Sequence, residues 1–152
     1  MKEFSQLTPK FSIPKKGKRN NDLENDQSIQ DILEQLLRDF VLHGGIETVY
    51  LLDEEGLSLT RYPTSKALDA TDAVEITQLM YEARKTAINS LGTTRLREIF
   101  IETHERKKLV FRFITFFNQV VTLVFVVPAK KPYRGLTNRL QREIQKLEKR
   151  AG

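Results

Sequence analysis

The sequence has no cysteine and only two histidines among its 152 residues. The absence of cysteine excludes disulfides and thiol catalysis, and it suits a cytoplasmic protein. No uncharged apolar run reaches the roughly 18 residues that a membrane-spanning helix needs. Residues 1–7 lack the apolar centre of a secretion signal. These absences together favour a cytoplasmic localisation.

Motifs for catalysis and ligand binding are missing as well. His43 and His104 fall in separate predicted elements, without the repeated spacing of a metal site. The acidic cluster at 53–55 is typical of a polar turn, because a calcium site needs more oxygen ligands at fixed spacing. Residues 17–18, Gly-Lys, lack the upstream glycine and the following Ser or Thr of a phosphate-binding loop. We therefore expect no enzymatic activity, no cofactor, no bound metal and no small-molecule substrate.

The net charge of +5 is distributed unevenly. Residues 1–21 carry six Lys or Arg and one Glu, and residues 130–152 carry eight Lys or Arg and two Glu. Between them the chain is acidic. Basic ends either improve solubility or contact an anionic membrane surface, nucleic acid or an acidic protein. The residues expected to contact an anionic surface are Lys15, Lys16, Lys18 and Arg19.

Hydrophobic periodicity divides the chain into a disordered basic tail, 1–27, and one folded domain, 28–152. Prolines, asparagines and the basic run discourage regular structure in the tail. In the domain the pattern predicts helices over 28–44, 71–91 and 135–149, and strands over 46–52, 57–62, 96–103, 109–117 and 120–127. The last strand is apolar on both faces, so layers must cover it above and below. The prediction is an α+β helix-sheet-helix sandwich, with order α-β-β-α-β-β-β-α and a five-stranded, mostly antiparallel sheet.

The helix predicted over 71–91 is apolar around too much of its circumference for a small domain. At 100° per residue its apolar side chains span an arc of about 220°, whereas a surface helix needs only about 100°. One sheet cannot cover an arc of that width. The pattern favours a second buried contact with another chain over deep burial within one chain.

The segment GIETVYLLDEEGLSLT, residues 45–60, reads as a strand, an acidic turn and a second strand directly after a helix. This hairpin and the order of the elements resemble the roadblock / dynein light chain family, which includes bacterial and archaeal MglB-like proteins. The resemblance covers about 28–150 and leaves the tail outside. It implies a dimeric, non-catalytic scaffold that regulates small Ras-like GTPases and possesses no chemistry of its own.

In that family two subunits pair through their third strands into one ten-stranded sheet, with the second helices side by side. Carried onto this chain, the resemblance implies a homodimer interface formed by the third strand and one side of the second helix. The strand residues are Leu96, Arg97, Glu98, Ile99, Phe100, Ile101 and Glu102, and the helix residues are Ile76, Leu79, Met80, Ala83 and Ala87. Arg97, Glu98 and Glu102 are expected to form cross-strand ion pairs. A heterodimer remains the alternative arrangement.

The resemblance also implies a surface for the GTPase on the polar side of the second helix. The residues expected to face the partner are Glu75, Gln78, Glu82, Lys85 and Asn89. MglB-like members act on the switch regions of a GTPase without inserting an arginine finger, so stimulation of GTP hydrolysis is one expected outcome. The alternative function is a membrane-associated scaffold that uses the basic tail and the last helix. A nucleic-acid binder is the weaker alternative, because no nucleic-acid motif accompanies the charge.

Overall fold

The computed structural model of the chain describes residues 28–63 and 70–151; for residues 70–74 and 151 it describes the backbone alone. The predicted tail, 1–27, therefore lies outside the described residues, and the predicted domain boundary at residue 28 coincides with the first described residue. The described elements follow the predicted order, and this confirms that order. They are α1 (Ile29–Gly44), β1 (Thr48–Leu52), β2 (Ser58–Tyr62), α2 (Ala70–Leu91), β3 (Glu98–Glu102), β4 (Lys108–Phe116), β5 (Gln119–Val127) and α3 (Arg134–Ala151).

The five strands form one antiparallel sheet in the order β2-β1-β5-β4-β3. The long hairpin of β4 and β5 occupies the centre, and β2 and β3 are the two edges. In β3, Glu98 is paired with Arg112 and Glu102 with Lys108. The antiparallel five-stranded sheet confirms the predicted fold class.

The caps of α1 follow from local sequence. The Ser28 side chain accepts a hydrogen bond from the Asp31 backbone N–H at 3.1 Å, as an N-cap does. Gly45 ends the helix in the left-handed region with φ of 70°, and its N–H donates to the Val41 carbonyl. Gly56 has φ of 83° in the turn between β1 and β2, a left-handed conformation that glycine adopts without a steric cost.

Three strands are shorter than predicted, and β2 differs by one residue, since it begins at Ser58 rather than at residue 57. β1 begins at Thr48 rather than at residue 46, although the Ile46 side chain is already buried in the core. β3 covers Glu98–Glu102 rather than 96–103. Pairing of β3 continues beyond its start by one backbone bond, from the Phe113 N–H to the Arg97 carbonyl. An edge strand has only one neighbour, so its ends lose regular pairing first.

Two hydrophobic clusters lie on opposite faces of the sheet, as a helix-sheet-helix sandwich requires. On one face α1 and α3 cover the sheet, with Leu37, Ile144 and Phe125 fully buried between the layers. On the other face Met80 of α2 packs with Phe111 and other sheet residues. Among the described side chains the second cluster is much smaller, so the described part of α2, residues 75–91, is less covered than α1 and α3.

No helix in the described part of the chain combines the length and apolar character needed to cross a membrane.

Candidate interaction surface on strand β3 and helix α2

The edge strand β3 exposes large apolar side chains on both faces of the sheet. Side chains alternate along a strand, so Ile99 and Ile101 face the α2 side, and Glu98 and Phe100 face the α1 and α3 side. Ile99 is half-buried in the cluster beneath α2. Phe100 is 45% exposed and Ile101 is 47% exposed. A ligand on one face would leave one of the two uncovered, whereas another strand added along the edge would help to cover both.

Helix α2 also leaves apolar surface uncovered. In its described portion Met80 is the buried hydrophobic residue, while Ile76, Ala83 and Ala87 are half-buried. Leu79, one position before Met80, is 63% exposed. The wide apolar arc predicted from the sequence is thus only partly covered by the sheet of the same chain.

The polar residues predicted to face a GTPase lie together on α2. All five are exposed, and at 100° per residue they fall on one side of the helix. They are Glu75, Gln78, Glu82, Lys85 and Asn89. Lys85 Nζ lies 3.3 Å from Glu82 Oε1, a surface ion pair between residues three positions apart. Helix α2 therefore presents a polar stripe beside its exposed Leu79.

Two side chains of α2, Tyr81 and Arg84, make contacts that hold the helix on the sheet. The Tyr81 hydroxyl donates to the Val120 carbonyl at 3.1 Å and accepts from the Thr122 hydroxyl at 3.2 Å. Burial raises the pKa of Tyr81 above its ordinary value, and the hydrogen bond from Thr122 partly opposes that rise. The Arg84 guanidinium lies 5.5 Å from the centroid of the Phe113 ring, within the range of a cation–π contact. These contacts fix which side of α2 faces the sheet and which side faces outward.

Glu98 of β3 takes part in a buried polar network within its own chain. Its Oε1 accepts hydrogen bonds from both Arg112 Nε at 3.1 Å and Arg112 Nη2 at 3.0 Å, and the Arg112 residue of this ion pair is 2% exposed. Arg112 Nη1 donates to Asn138 Oδ1 at 2.8 Å and to Gln141 Oε1 at 3.1 Å, both on α3. The network thus joins the edge strand to α3 through the central strand β4.

Tyr133, just before α3, completes this network. Its hydroxyl donates to Glu98 Oε2 at 2.8 Å. Burial, the hydrogen bond to Glu98 and the negative charge of Glu98 together raise the pKa of Tyr133 to about 12. The phenol therefore remains a neutral donor throughout the physiological range.

The other strand residues predicted for the interface differ in their surroundings. Leu96 is half-buried against the cluster beneath α2, and Arg97 is exposed. Glu102 lies 3.6 Å from Lys108 Nζ and 4.0 Å from Arg106 Nη1 in its own chain. The basic residues of the tail, 15–19, lie outside the described residues. The cross-strand ion pairs and the interface itself stay predictions.

The sequence analysis missed the network around Arg112. The available signal was a single arginine inside the apolar strand LVFRFITF, residues 109–116. A charge at that position needs a buried partner, because an unpaired charge in a core is costly. Among residues 28–63 and 70–151, no group of three His, Asp or Glu side chains is arranged to hold a metal ion.

Solved structures show where this architecture recurs. The MglB gliding protein from Thermus thermophilus matches with a TM-score of 0.66 and 13% identity, covering 95% of this chain and 100% of that one. A structure described as MglB with a tetrameric arrangement matches with a TM-score of 0.68 and 16% identity, covering 96% and 100%. The Roadblock/LC7 domain from Streptomyces avermitilis matches with a TM-score of 0.52 and 16% identity, covering 77% and 92%.

No protein-family model matches the chain, and no curated protein is significantly similar to it. At these identities the likeness to solved structures establishes the fold, which is that of the roadblock and MglB proteins. It agrees with the resemblance that the hairpin at 45–60 suggested.

Proposed function

We propose that the chain forms a homodimer through β3 and α2, and that this dimer is a non-catalytic regulator or scaffold of a small Ras-like GTPase in the cytoplasm. The observation that carries the proposal is the uncovered apolar surface of β3 and α2, where Phe100, Ile101 and Leu79 are exposed. The roadblock resemblance supports a small Ras-like GTPase as the partner.

The geometry of the edge strand supports the proposed dimer. Antiparallel pairing of two β3 strands joins two five-stranded sheets into one sheet of ten strands and removes the unpaired edge, which is otherwise a site of unwanted association. The same pairing brings the two α2 helices near each other, where Leu79 gains a covering. A structure of an MglB with a tetrameric arrangement has this fold, which supports self-association as a property that the fold permits.

The polar stripe of α2 is the surface assigned to the GTPase. The partner's switch regions carry its catalytic groups, and a surface that orders them accelerates hydrolysis without donating a catalytic residue. Arg84 is unsuited to act as an arginine finger, because its guanidinium lies over the Phe113 ring of the same chain. Lys85 is exposed in an ion pair with Glu82. The proposed effect on hydrolysis is therefore indirect.

Affinity capture from a lysate of the source cell tests the partner. The full chain serves as bait, and the lysate is loaded either with GDP or with a non-hydrolysable GTP analogue. We expect mass spectrometry to identify a Ras-like GTPase that is enriched at least about fivefold with the GTP analogue. The identified GTPase is then purified and titrated against the bait.

Two charge reversals locate the binding surface in that titration. Glu82→Lys lies on the polar stripe, and Glu34→Lys makes the same change at an exposed position of α1 on the opposite face. We expect Glu82→Lys to weaken binding about tenfold or more, because like charges across an interface are strongly unfavourable, and Glu34→Lys to leave it unchanged. Absence of any GTPase in both nucleotide states, or equal effects of the two reversals, would contradict the proposal.

A further inference from the structure

The outer side of α3 is lined with cations. In its described side chains, residues 134–150, every exposed residue except Gly135 is Lys or Arg. Five of them fall within an arc of about 100° and extend over about 17 Å of helix. We call these five the α3 ridge: Arg139, Arg142, Lys146, Lys149 and Arg150.

The ridge is fixed in position by the packing of the helix. Leu140, Ile144 and Leu147 on the inner side of α3 are buried in the core, so the helix cannot turn its cations inward. Within the ridge, Lys146 Nζ lies 2.9 Å from Glu143 Oε1, an exposed pair of little energetic weight. The ridge therefore presents a nearly uncompensated positive charge to whatever approaches this face.

The neighbouring helix α1 limits where the charge is effective. The strands β1 and β5 are antiparallel and α1 and α3 each turn back over one of them, so the two helices run in opposite directions. The start of α1, with exposed Asp31 and Glu34, thus lies toward the end of α3. The start of the ridge, at Arg139 and Arg142, is therefore the part farthest from these carboxylates.

We propose that the α3 ridge binds an anionic membrane surface. The described side chains of α3, residues 134–150, include no aromatic ring on which bases could stack, which argues against single-stranded nucleic acid. The α1 and α3 layer also exposes Leu42, at 55%, which adds an apolar contact for a lipid surface. Each Lys or Arg close to such a surface contributes attraction that salt screens. This surface lies on the face opposite to α2.

Vesicle sedimentation of the full chain tests the proposal. One set of vesicles is neutral phosphatidylcholine, and the other contains about one third phosphatidylserine. The test variant is Arg139→Gln with Arg142→Gln and Lys146→Gln. The control variant removes the same charge from exposed positions away from α3, with Lys85→Gln, Arg95→Gln and Lys107→Gln. Circular dichroism confirms that both variants are folded.

We expect the wild-type chain to sediment with the anionic vesicles and not with the neutral ones. The partition coefficient of the ridge variant onto anionic vesicles should be about a hundredfold lower than that of the wild type, because three cations that each contribute to membrane binding are removed. The partition coefficient of the control variant should fall less than threefold. Equal losses in the two variants, wild-type binding to neutral vesicles, or no binding to vesicles would overturn the proposal. So would equal binding to nucleic acid by wild type at the same salt concentration.

Discussion

Arg112 of β4 is a buried cation whose guanidinium contacts two other elements, β3 and α3. Its guanidinium bonds to Glu98 on the edge strand and to Asn138 and Gln141 on α3. Nε, Nη1 and Nη2 each have a partner, so the cost of removing the charge from water is offset locally. The network holds the edge strand β3 in place against the layer of α1 and α3.

Removing one side of this ion pair should be strongly destabilising. Arg112→Met leaves the Glu98 carboxylate without its buried partner, and we expect the free energy of unfolding to fall by about 3–5 kcal/mol. The double variant Glu98→Gln with Arg112→Met removes both charges and should be more stable than Arg112→Met alone. Urea unfolding at one chain concentration measures all four chains of the cycle. Simple additivity of the single changes would show that the two residues do not interact.

The titration of Tyr133 makes the free energy of unfolding depend on pH in the alkaline range. Its pKa is raised to about 12 in the folded chain from an ordinary value of 10.0. Between these values the folded state binds the phenolic proton more tightly than the unfolded state. The stabilisation from the protonated phenol is therefore complete below pH 10 and is lost as the pH rises towards 12. The full loss lowers the free energy of unfolding by about 2–3 kcal/mol.

Tyr133→Phe isolates this contribution. The variant lacks the hydroxyl, so its free energy of unfolding should fall less steeply than that of the wild type between pH 10 and 12. Below pH 10 it should be less stable by about 1 kcal/mol, because the hydrogen bond to Glu98 is gone. Urea unfolding at several pH values gives both slopes. Parallel slopes would mean that Tyr133 titrates alike in both states.

Residue contacts of this kind are only partly readable in a sequence. The apolar alternation of β4 shows that residue 112 is inside, and an arginine there requires a partner. Its partner Glu98 is 14 positions away on an edge strand, and pairing register decides that the two meet. Sequence periodicity identifies strands but not their register, so the sequence did not reveal that Glu98 belongs to this network.

Among the elements, α1 depends on the left-handed conformation of Gly45. A Cβ at Gly45 would lie 2.9 Å from Lys131 Nζ, and φ is 70°. Gly45→Ala should cost about 1–2 kcal/mol, mostly from the backbone, because the lysine end can move. The matched change Gly135→Ala meets nothing within 4 Å in α3 and should stabilise the chain by up to about 1 kcal/mol. Thermal unfolding compares them; equal shifts would exclude the backbone explanation.

The edge strand β3 is the element on which dimerisation depends. Ile101→Asp places a carboxylate in the proposed pairing edge and should weaken the dimer about a hundredfold or more. Leu42→Asp makes the same change at a similarly exposed position of α1 and should leave the dimer intact. Sedimentation equilibrium measures both. Ile99 is a poorer probe, because its side chain packs in the cluster beneath α2 and a change there would also disturb the fold.

If Ile101→Asp and Leu42→Asp have the same dissociation constant as the wild type, β3 is not the interface.

The elements themselves were predicted well because they follow local rules. The Ser28 cap, the turn glycine Gly56 and the apolar stripes are all properties of a few neighbouring residues. The ends of β1 and β3 were predicted too far out, since strand ends depend on how long a neighbour continues to pair. Which apolar residues of α2 stay exposed also depends on distant strands, so the sequence predicted only an excess of apolar surface.

At the scale of the whole molecule, we propose that the two faces of the sheet bind different partners. Antiparallel pairing of identical edges requires a twofold axis perpendicular to the sheet, so both copies of a layer lie on one side. The proposed dimer thus carries two α2 helices on one face for the GTPase and two α3 ridges on the other for an anionic membrane. The fold is established by comparison with solved structures, and the two partners are proposals.

The most direct measurement is the molar mass of the complex, by light scattering coupled to size-exclusion chromatography. The full chain is mixed with the captured GTPase loaded with a GTP analogue. We expect a complex that contains two copies of this 17.7 kDa chain together with the GTPase. A complex with a single copy of the chain, or two species that elute separately, would contradict the proposal that a dimer of this chain binds the GTPase.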